Sequence, residues 1–199
     1  MLGRYQSDQG MDHWKTIKKV LCYLQGTKEY MLTYKKTENL ELVGYVDADF
    51  VGCVDTNKST SDYVFTLGNG AILWKSSKQS LKVASMMQAE FVACYEAVEQ
   101  AMWLKGFISR LRVVDIISKA LRLYCDNKVA VFYVNNSKSS GAAKHIKIKY
   151  FVENDRIQDH TIELKHISTK EMLADPPTKS LPPNNFHELI ASMGLSDSL

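Results

Sequence analysis

Residues 45–52 read YVDADFVG and follow the apolar approach LELV at residues 40–43. The alternating apolar residues predict a strand that enters the core, yet Asp47 and Asp49 fall within it. Burying a carboxylate costs several kcal/mol unless a cation or a hydrogen-bond donor meets it. Asp47 therefore requires such a partner elsewhere in the fold.

The composition is that of an ordinary globular chain. With 199 residues, of which 45% are hydrophobic and 24% are charged, it is long enough for one substantial core. The net charge of +3 permits a polyanionic partner without requiring one. The 4 cysteines lie far apart, which argues against a zinc ribbon and favours a reducing compartment. No apolar run reaches the roughly 18 residues of a membrane span, so we expect neither signal peptide nor anchor.

The first forty residues are predicted to form an attachment to a main domain. Apolar residues recur at helical spacing through residues 13–30, HWKTIKKVLCYLQGTKEY, and Gly26 is suited to end that helix. Residues 31–36, MLTYKK, then predict one short strand. A helix and a strand do not form a core alone, so this segment must pack on the rest of the chain or on a neighbouring domain.

Closely spaced strands and a long helix follow. Residues 40–50, 61–67 and 71–76 predict three strands, and the GNG turn at 68–70 predicts an antiparallel meander.

The long helix is predicted to begin at a capping box formed by Ser85 and Gln88. Glu90 heads an apolar stripe at helical spacing, which predicts the buried face of this helix. The stripe consists of Cys94, Ala97, Ala101, Leu104 and Ile108.

The second half of the chain predicts two further strands and several shorter helices. One strand ends on Asp126, and the last strand covers residues 161–168. A second capping box, formed by Ser168 and Glu171, predicts a short helical turn. The overall predicted order is β-β-β-α-β-α-α-β-α. The remaining predicted helices cover residues 128–136, 144–157 and 184–195.

Four acids are predicted to meet at one edge of the sheet. If the first and fourth core strands are neighbours and the long helix crosses them, their carboxylates converge there. Clustered carboxylates repel one another at neutral pH unless cations intervene, and hard divalent ions such as Mg²⁺ supply that charge. A pair of such ions about 3.5–4 Å apart can clamp an in-line phosphoryl displacement. The four acids are Asp47, Glu90, Asp126 and, in the LADPP stretch, Asp175.

The motifs that carry these acids resemble those of one family. In order, they are similar to the ribonuclease H domain of copia-class LTR retrotransposon Pol polyproteins, especially the plant elements. The resemblance covers nearly the whole chain, because residues 13–27 are similar to the end of the preceding reverse transcriptase and connection region. It implies an α/β ribonuclease H-like fold with a five-stranded mixed sheet, whose first three strands are antiparallel, flanked by helices. The motifs are YVDAD at 45–49, MQAEF at 87–91, YCDN at 124–127 and LADPPTKSLPP at 173–183.

The resemblance also implies an activity and the parts needed for it. The implied reaction is two-metal-ion cleavage of the RNA strand of RNA–DNA hybrids during reverse transcription, with Mg²⁺ or Mn²⁺. By motif match Asp49 is not a ligand, and the catalytic metal ligands are Asp47, Glu90, Asp126 and Asp175.

The same resemblance implies a division of the chain. Residues 1–40 would be a remnant of the reverse transcriptase and connection region, residues 41–180 the ribonuclease H domain, and residues 181–199 a tail helix. The expected partners are the RNA–DNA hybrid and the reverse transcriptase and connection region of the same polyprotein, without a membrane. The expected location is cytoplasmic, within a virus-like particle for an active element, with the nucleus as an alternative.

Polar and basic residues flank the predicted acid edge. Selecting RNA requires contacts to 2′-hydroxyls, and lysines would bind phosphates with strong salt dependence. A solvated surface explains each basic cluster equally well. The predicted nucleic-acid-binding residues are Lys75, Lys78, Gln79, Ser85, Asn127, Lys144 and Lys147.

Two alternatives stay open. A noncatalytic nucleic-acid-binding or interaction module, derived from a decayed or domesticated retrotransposon, would keep the fold without the chemistry. Related folds also serve integrases and junction resolvases, although the CDN and LADPP motifs favour the ribonuclease branch. The persistence of all four acids favours the active nuclease. Cys125 is predicted to be only a small buried hydrophobe.

Overall fold

The computed structural model describes residues 6–37, 40–53, 57–111, 120–136, 161–176, 179 and 181–197. The described order agrees with the predicted one except for a short final strand at Leu195–Ser196, which was not predicted; the predicted helix over 144–157 lies outside the described residues. The helices are α1 (Met11–Gly26), α2 (Met86–Leu111), α3 (Lys128–Asn136) and α4 (Pro183–Ser192), and a 3₁₀ turn covers Thr169–Glu171. The strands are β1 (Met31–Leu32), β2 (Leu42–Cys53), β3 (Lys58–Leu67), β4 (Gly70–Lys78), β5 (Leu121–Cys125), β6 (Ile162–His166) and β7 (Leu195–Ser196).

The central sheet has five strands in the order β4-β3-β2-β5-β6. β2 and β3 are antiparallel, as are β3 and β4, whereas β5 and β6 continue the sheet in parallel with β2. Parallel neighbours need crossover connections, which the helical segments before β5 and β6 supply. The predicted fold class, a five-stranded mixed sheet with antiparallel first strands and flanking helices, is confirmed.

A tight turn joins β3 to β4. Leu67 pairs with Gly70, so the loop contains two residues, Gly68 and Asn69. Both have positive φ, 56° and 66°. This geometry suits a hairpin because its twist matches that of the flanking strands. The turn predicted from the GNG sequence is confirmed.

The main core lies between the sheet and α2. The predicted stripe on α2 is buried throughout, and it packs against the side chains of β2, β3 and β5 that alternate toward it. Gly44 faces the same side, where an added Cβ would lie 2.6 Å from atoms of both Phe65 and Leu123. The missing side chain at Gly44 therefore makes room for these two core residues.

The opposite face of the sheet is covered by the C-terminal segment. Leu189 and Ile190 of α4 pack with Val64 and Leu173 in a second apolar cluster. Gly194, with φ of 86°, ends the segment and leads into β7, which pairs with β1 in a separate two-stranded sheet. The C-terminal tail is therefore packed on the central sheet.

The first helix lies differently. Against the described part of the chain α1 buries none of its residues, and Trp14, Leu21 and Leu24 are all more than half exposed. Among the described residues no helix is long and apolar enough to cross a membrane. The division into segments 1–40, 41–180 and 181–199 stays a prediction.

Candidate active site: an acid cluster at the end of the central strands

Strands β2 and β5 place Asp47 and Asp126 side by side. In their parallel pairing Val46 aligns with Cys125, so each acid is the next residue along its own strand. Neighbouring strands lie about 4.8 Å apart, which brings the two positions into one site. Asp47 is only 1% exposed, whereas Asp126, just beyond the end of β5, is partly exposed.

Helix α2 brings Glu90 to the same end of the sheet. The helix starts where the sequence predicts, since Ser85 Oγ accepts a hydrogen bond from the Gln88 backbone N–H at 3.3 Å. The Gln88 side chain reaches back and accepts from the Ala84 N–H at 2.8 Å. This reciprocal cap fixes the first turn, and Glu90, near the start of the helix, is 3% exposed.

Glu90 and Asp126 meet a third potential ligand, Cys125. One ligand atom from each of these three residues lies within 4.8 Å of the other two. The Cys125 thiol, which is fully buried, donates to Glu90 Oε2 over 3.9 Å. The prediction of a small buried hydrophobe therefore missed its polar contact. The signal available was its position directly before Asp126.

Asp175 joins the site through Lys179. The Lys179 ammonium lies 2.8 Å from Asp175 Oδ1 and 2.9 Å from Asp47 Oδ2, so a single cation bridges two buried acids. The Lys179 backbone N–H also donates to the Asp175 carbonyl at 2.8 Å. Lys179 lies in the LADPPTKSLPP motif, and the sequence predicts no role for it. The motif carries no clear signal for this role, because the i,i+4 rule holds for helices and two prolines separate Asp175 from Lys179.

Asp126 has a further fixed contact from the loop after β6. Thr169 Oγ1 donates to Asp126 Oδ2 at 3.0 Å. Thr169 begins the 3₁₀ turn, whose N-cap Ser168 accepts from the Lys170 N–H at 3.4 Å. The predicted turn is confirmed, but Ser168 caps it through Lys170 and does not form the predicted capping box with Glu171.

Burial raises the pKa values of Asp47 and Asp175, the two acids that contact Lys179. The pKa of Asp47 rises to about 6, because burial outweighs the opposing hydrogen bond and charge of Lys179. The pKa of Asp175 is raised for the same reason, again against Lys179. Burial acts to lower the pKa of Lys179, but contacts with Asp175 and Asp47 raise it overall. Lys179 therefore stays charged.

Glu90 shows the largest carboxyl shift. Burial, followed by the proximity of Cys125, Asp47 and Asp126, raises its pKa to about 10. At neutral pH Glu90 therefore holds a proton. Because the charge of Asp126 also raises the pKa values of Asp47 and Asp175, the four acids influence one another as one site.

The predicted nucleic-acid-binding residues lie in several places. Lys75 and Lys78 are exposed on β4, where they line a surface groove with Trp103, Glu96 and Glu99. The acidic residues in this groove offset its positive charge. Lys144 and Lys147 lie outside the described residues.

The polar residues predicted to read RNA have structural tasks. Gln79 is completely buried, and its amide N–H groups donate to Ser61 Oγ and to the Ala89 carbonyl. The prediction that Gln79 contacts nucleic acid is therefore corrected, because a buried and hydrogen-bonded amide does not reach a duplex. Ser85 caps α2, and Asn127 Oδ1 caps α3 by accepting from the backbone N–H groups of residues 129 and 130. An Asn directly before a helix is a common cap.

Sequence comparisons connect this site to a family. No protein-family profile matches the chain. The chain is 34% identical over 186 residues to the retrovirus-related Pol polyprotein from transposon TNT 1-94 of Nicotiana tabacum, covering 94% of this chain and 14% of that protein. It is 31% identical over 194 residues to the Pol polyprotein from transposon RE2 of Arabidopsis thaliana, covering 98% and 13%. The chain thus spans only about one seventh of the length of these relatives.

A solved structure shows a weaker likeness. The crystal structure of LC11-RNase H1 in complex with RNA/DNA hybrid is 15% identical, with a TM-score of 0.47, and the match covers 66% of this chain and 88% of that one.

The strand order and the flanking helices define a ribonuclease H-like domain. The homologues of the chain are plant copia-type retrotransposon Pol polyproteins, and the chain matches one segment of them.

Proposed function

We propose that this domain is a ribonuclease H that hydrolyses the RNA strand of RNA–DNA hybrids with the help of two Mg²⁺ or Mn²⁺ ions. The observation that carries the proposal is the meeting of four acids from separate elements in one site. The motif resemblance and the relationship to Pol polyproteins support the choice of substrate. The four acids are Asp47, Glu90, Asp126 and Asp175.

The chemistry of the donor set fits hard divalent ions. Carboxylate oxygens are the ligands that Mg²⁺ and Mn²⁺ prefer, and the site concentrates four of these side chains. A positive group is already accommodated, since the Lys179 ammonium lies within ion-pair distance of Asp47 and Asp175. When bound, such ions supply charge stabilisation at the phosphoryl group and activation of water. Asp47, Glu90, Asp126 and Asp175 would hold them.

The residues of the chain prepare the site for this chemistry. Glu90 holds a proton near neutral pH and must release it when a cation binds. Thr169 donates a hydrogen bond to one oxygen of Asp126, the most exposed of the four acids, and so fixes its orientation. The burial of Asp47 and Asp175 excludes water and strengthens their pull on any cation.

Contacts with nucleic acid and with the rest of the polyprotein are part of the proposal. Lys75, Lys78, Lys144 and Lys147 would contact phosphates. The exposed apolar residues of α1, among them Trp14 and Leu21, suit a contact with the reverse transcriptase and connection region. We expect the protein to act in the cytoplasm, within a virus-like particle for an active element.

The deciding experiment is cleavage of an RNA–DNA hybrid labelled on its RNA strand. In Mg²⁺ the wild-type chain should cut the RNA, and Asp47→Asn should lose on the order of 10³-fold in rate, because several kcal/mol of charge stabilisation depend on the metal ligands. Asp49→Asn is the matched control: Asp49 is exposed on the same strand, so its loss should change the rate by less than about threefold.

Two results would contradict the proposal. If the wild-type chain binds the hybrid without cutting it in Mg²⁺ or Mn²⁺, the noncatalytic module becomes the better account. If Asp47→Asn cuts as fast as Asp49→Asn, the acid cluster is not the active site.

A further inference from the structure

We infer that Lys179 is an internal counter-ion of the acid site, and that divalent ions must displace its ammonium group from the oxygens of Asp47 and Asp175. This inference rests on the proposed metal site and adds a step to its loading. It assigns a role to a residue that the motif resemblance leaves without one.

The position of the ammonium group carries the first step of the argument. The Lys179 Nζ lies 2.9 Å from Asp47 Oδ2 and 2.8 Å from Asp175 Oδ1. The side chains of both acids are 2% exposed, whereas that of Lys179 is 38% exposed. One cation thus connects two acids that have little access to water.

The second step is steric. A Mg²⁺ ion binds carboxylate oxygens at about 2.0–2.1 Å and keeps several of its waters. An ammonium nitrogen within 3 Å of both oxygens occupies the space in which such an ion and its waters would sit. The lysine and the ion therefore exclude each other at these two oxygens.

The third step concerns charge. The carboxylates of Asp47 and Asp175 carry two negative charges and the Lys179 ammonium carries one positive charge, so one negative charge remains. The lysine therefore offsets the repulsion between the two acids only in part. A divalent ion carries twice the charge and makes shorter contacts, which favours exchange. The ammonium therefore holds the acids together without preventing a divalent ion from replacing it.

The Lys179 ammonium can leave the two acids while the Lys179 backbone stays beside Asp175. Its flexible four-carbon side chain is partly exposed, so the ammonium can swing into solvent. Its backbone N–H remains bound to the Asp175 carbonyl at 2.8 Å, which keeps the competing charge tethered at high local concentration.

The competition predicts a measurable change in metal affinity. Lys179→Met keeps the length of the side chain and removes its charge. If the ammonium occupies its position in about nine molecules of ten, the variant should bind Mn²⁺ about tenfold more tightly than the wild type. Isothermal titration calorimetry of the metal-free full chain with Mn²⁺ measures this directly.

Two further variants interpret the titration. Lys165→Met is the matched control, because Lys165 lies on β6 and pairs with Glu163 at the surface; its affinity should stay within about twofold of the wild type. Asp126→Asn should weaken Mn²⁺ binding in any background.

If no variant and no wild-type sample binds Mn²⁺, the proposed metal site itself fails. If Mn²⁺ binds but Lys179→Met leaves its affinity unchanged or lower, only the counter-ion role is overturned.

A measurement on the wild-type chain covers the case in which Lys179→Met does not fold, and it separates displacement from a general loss of positive charge. The acetylation rate of Lys179, followed by mass spectrometry, should rise severalfold when Mg²⁺ is added, because the released ammonium becomes accessible. The rate at Lys165 should stay unchanged. A Lys179 rate that stays the same or falls in Mg²⁺ would overturn the inference.

Discussion

The two halves of the acid site offset the cost of burying neighbouring carboxylates in different ways. In the lysine half, Asp47 and Asp175 share the ammonium of Lys179. In the thiol half, Glu90 lies beside Asp126 and the buried thiol of Cys125, and burial raises its pKa to about 10. The first half is compensated by a cation of the protein, and the second by a bound proton.

At the proposed metal site the two halves would make different demands on an incoming ion. In the lysine half the ion would displace an ammonium group, and in the thiol half it would displace a proton. Replacing Lys179 or Glu90 by a side chain that does not titrate should therefore have opposite effects on the metal-free protein: a loss of stability in the lysine half and a gain in the thiol half.

The largest effect is expected in the thiol half, for Glu90→Gln. The folded pKa of Glu90 lies near 10 against an ordinary value of 4.5, so the folded state binds the extra proton between these values. The contribution of Glu90 to stability is complete below pH 4.5 and is lost as the pH rises toward 10. Glutamine removes this loss, so in EDTA at pH 8 the variant should be roughly 2–4 kcal/mol more stable than the wild type.

Urea denaturation at several pH values provides the measurement for Glu90. The stability difference between Glu90→Gln and the wild type should shrink to near zero at pH 4.5. Glu99→Gln, on an exposed position of the same helix, serves as the control and should follow the wild type at every pH. A Glu90→Gln curve with the same pH slope as the wild type would show that the thiol half is not held by a proton.

A smaller effect of opposite sign is expected in the lysine half. Lys179→Met leaves Asp47 and Asp175 buried without their ion pairs and should cost about 1–3 kcal/mol in EDTA, less than a fully buried pair because Lys179 is partly exposed. Thermal melting in EDTA measures this cost, with Lys165→Met as the control. Added Mn²⁺ should recover the loss. Equal melting temperatures for the two variants would argue against stabilisation by Lys179.

The smallest effect is expected where the two halves approach solvent, at Thr169. Thr169→Val removes the hydroxyl that donates to Asp126 Oδ2 at 3.0 Å and should cost about 0.5–1 kcal/mol, because the bond is exposed. Thr169→Ser keeps the donor and should retain most of the stability. Chemical denaturation of both variants decides the point, since equal losses would mean that the methyl group matters rather than the hydrogen bond.

Much of the fold was predictable because it depends on local patterns. The alternation around Val46, the GNG turn, the cap at Ser85 and the apolar stripe headed by Glu90 each follow from a short stretch of sequence. Their periodicities are set by strand and helix geometry, and the structure reproduces them. Three of the four acids could be placed from such patterns, because Asp47 lies within the first core strand, Glu90 lies near the start of the long helix and Asp126 directly follows a strand.

The remaining parts of the site depend on long-range packing. Lys179 follows two prolines and reads as a solvated loop residue, and only the fold brings it within 2.9 Å of Asp47. Gln79 directly follows β4, where polar residues are commonly exposed, yet it is completely buried and the Ala89 carbonyl of α2 accepts its amide N–H at 2.8 Å. The contact of Cys125 with Glu90 likewise requires a helix and a strand far apart in sequence.

The pairing of β1 with β7 has a consequence for how the chain acquires its structure. Met31 aligns with Ser196, and the Thr33 N–H donates to the Gly194 carbonyl at 2.8 Å. During synthesis β1 leaves the ribosome long before β7 has been made. The pairing of β1 with β7 is therefore among the last contacts to form. Until β7 is made, the backbone N–H and C=O groups of β1 are unpaired and can pair with a strand of another chain.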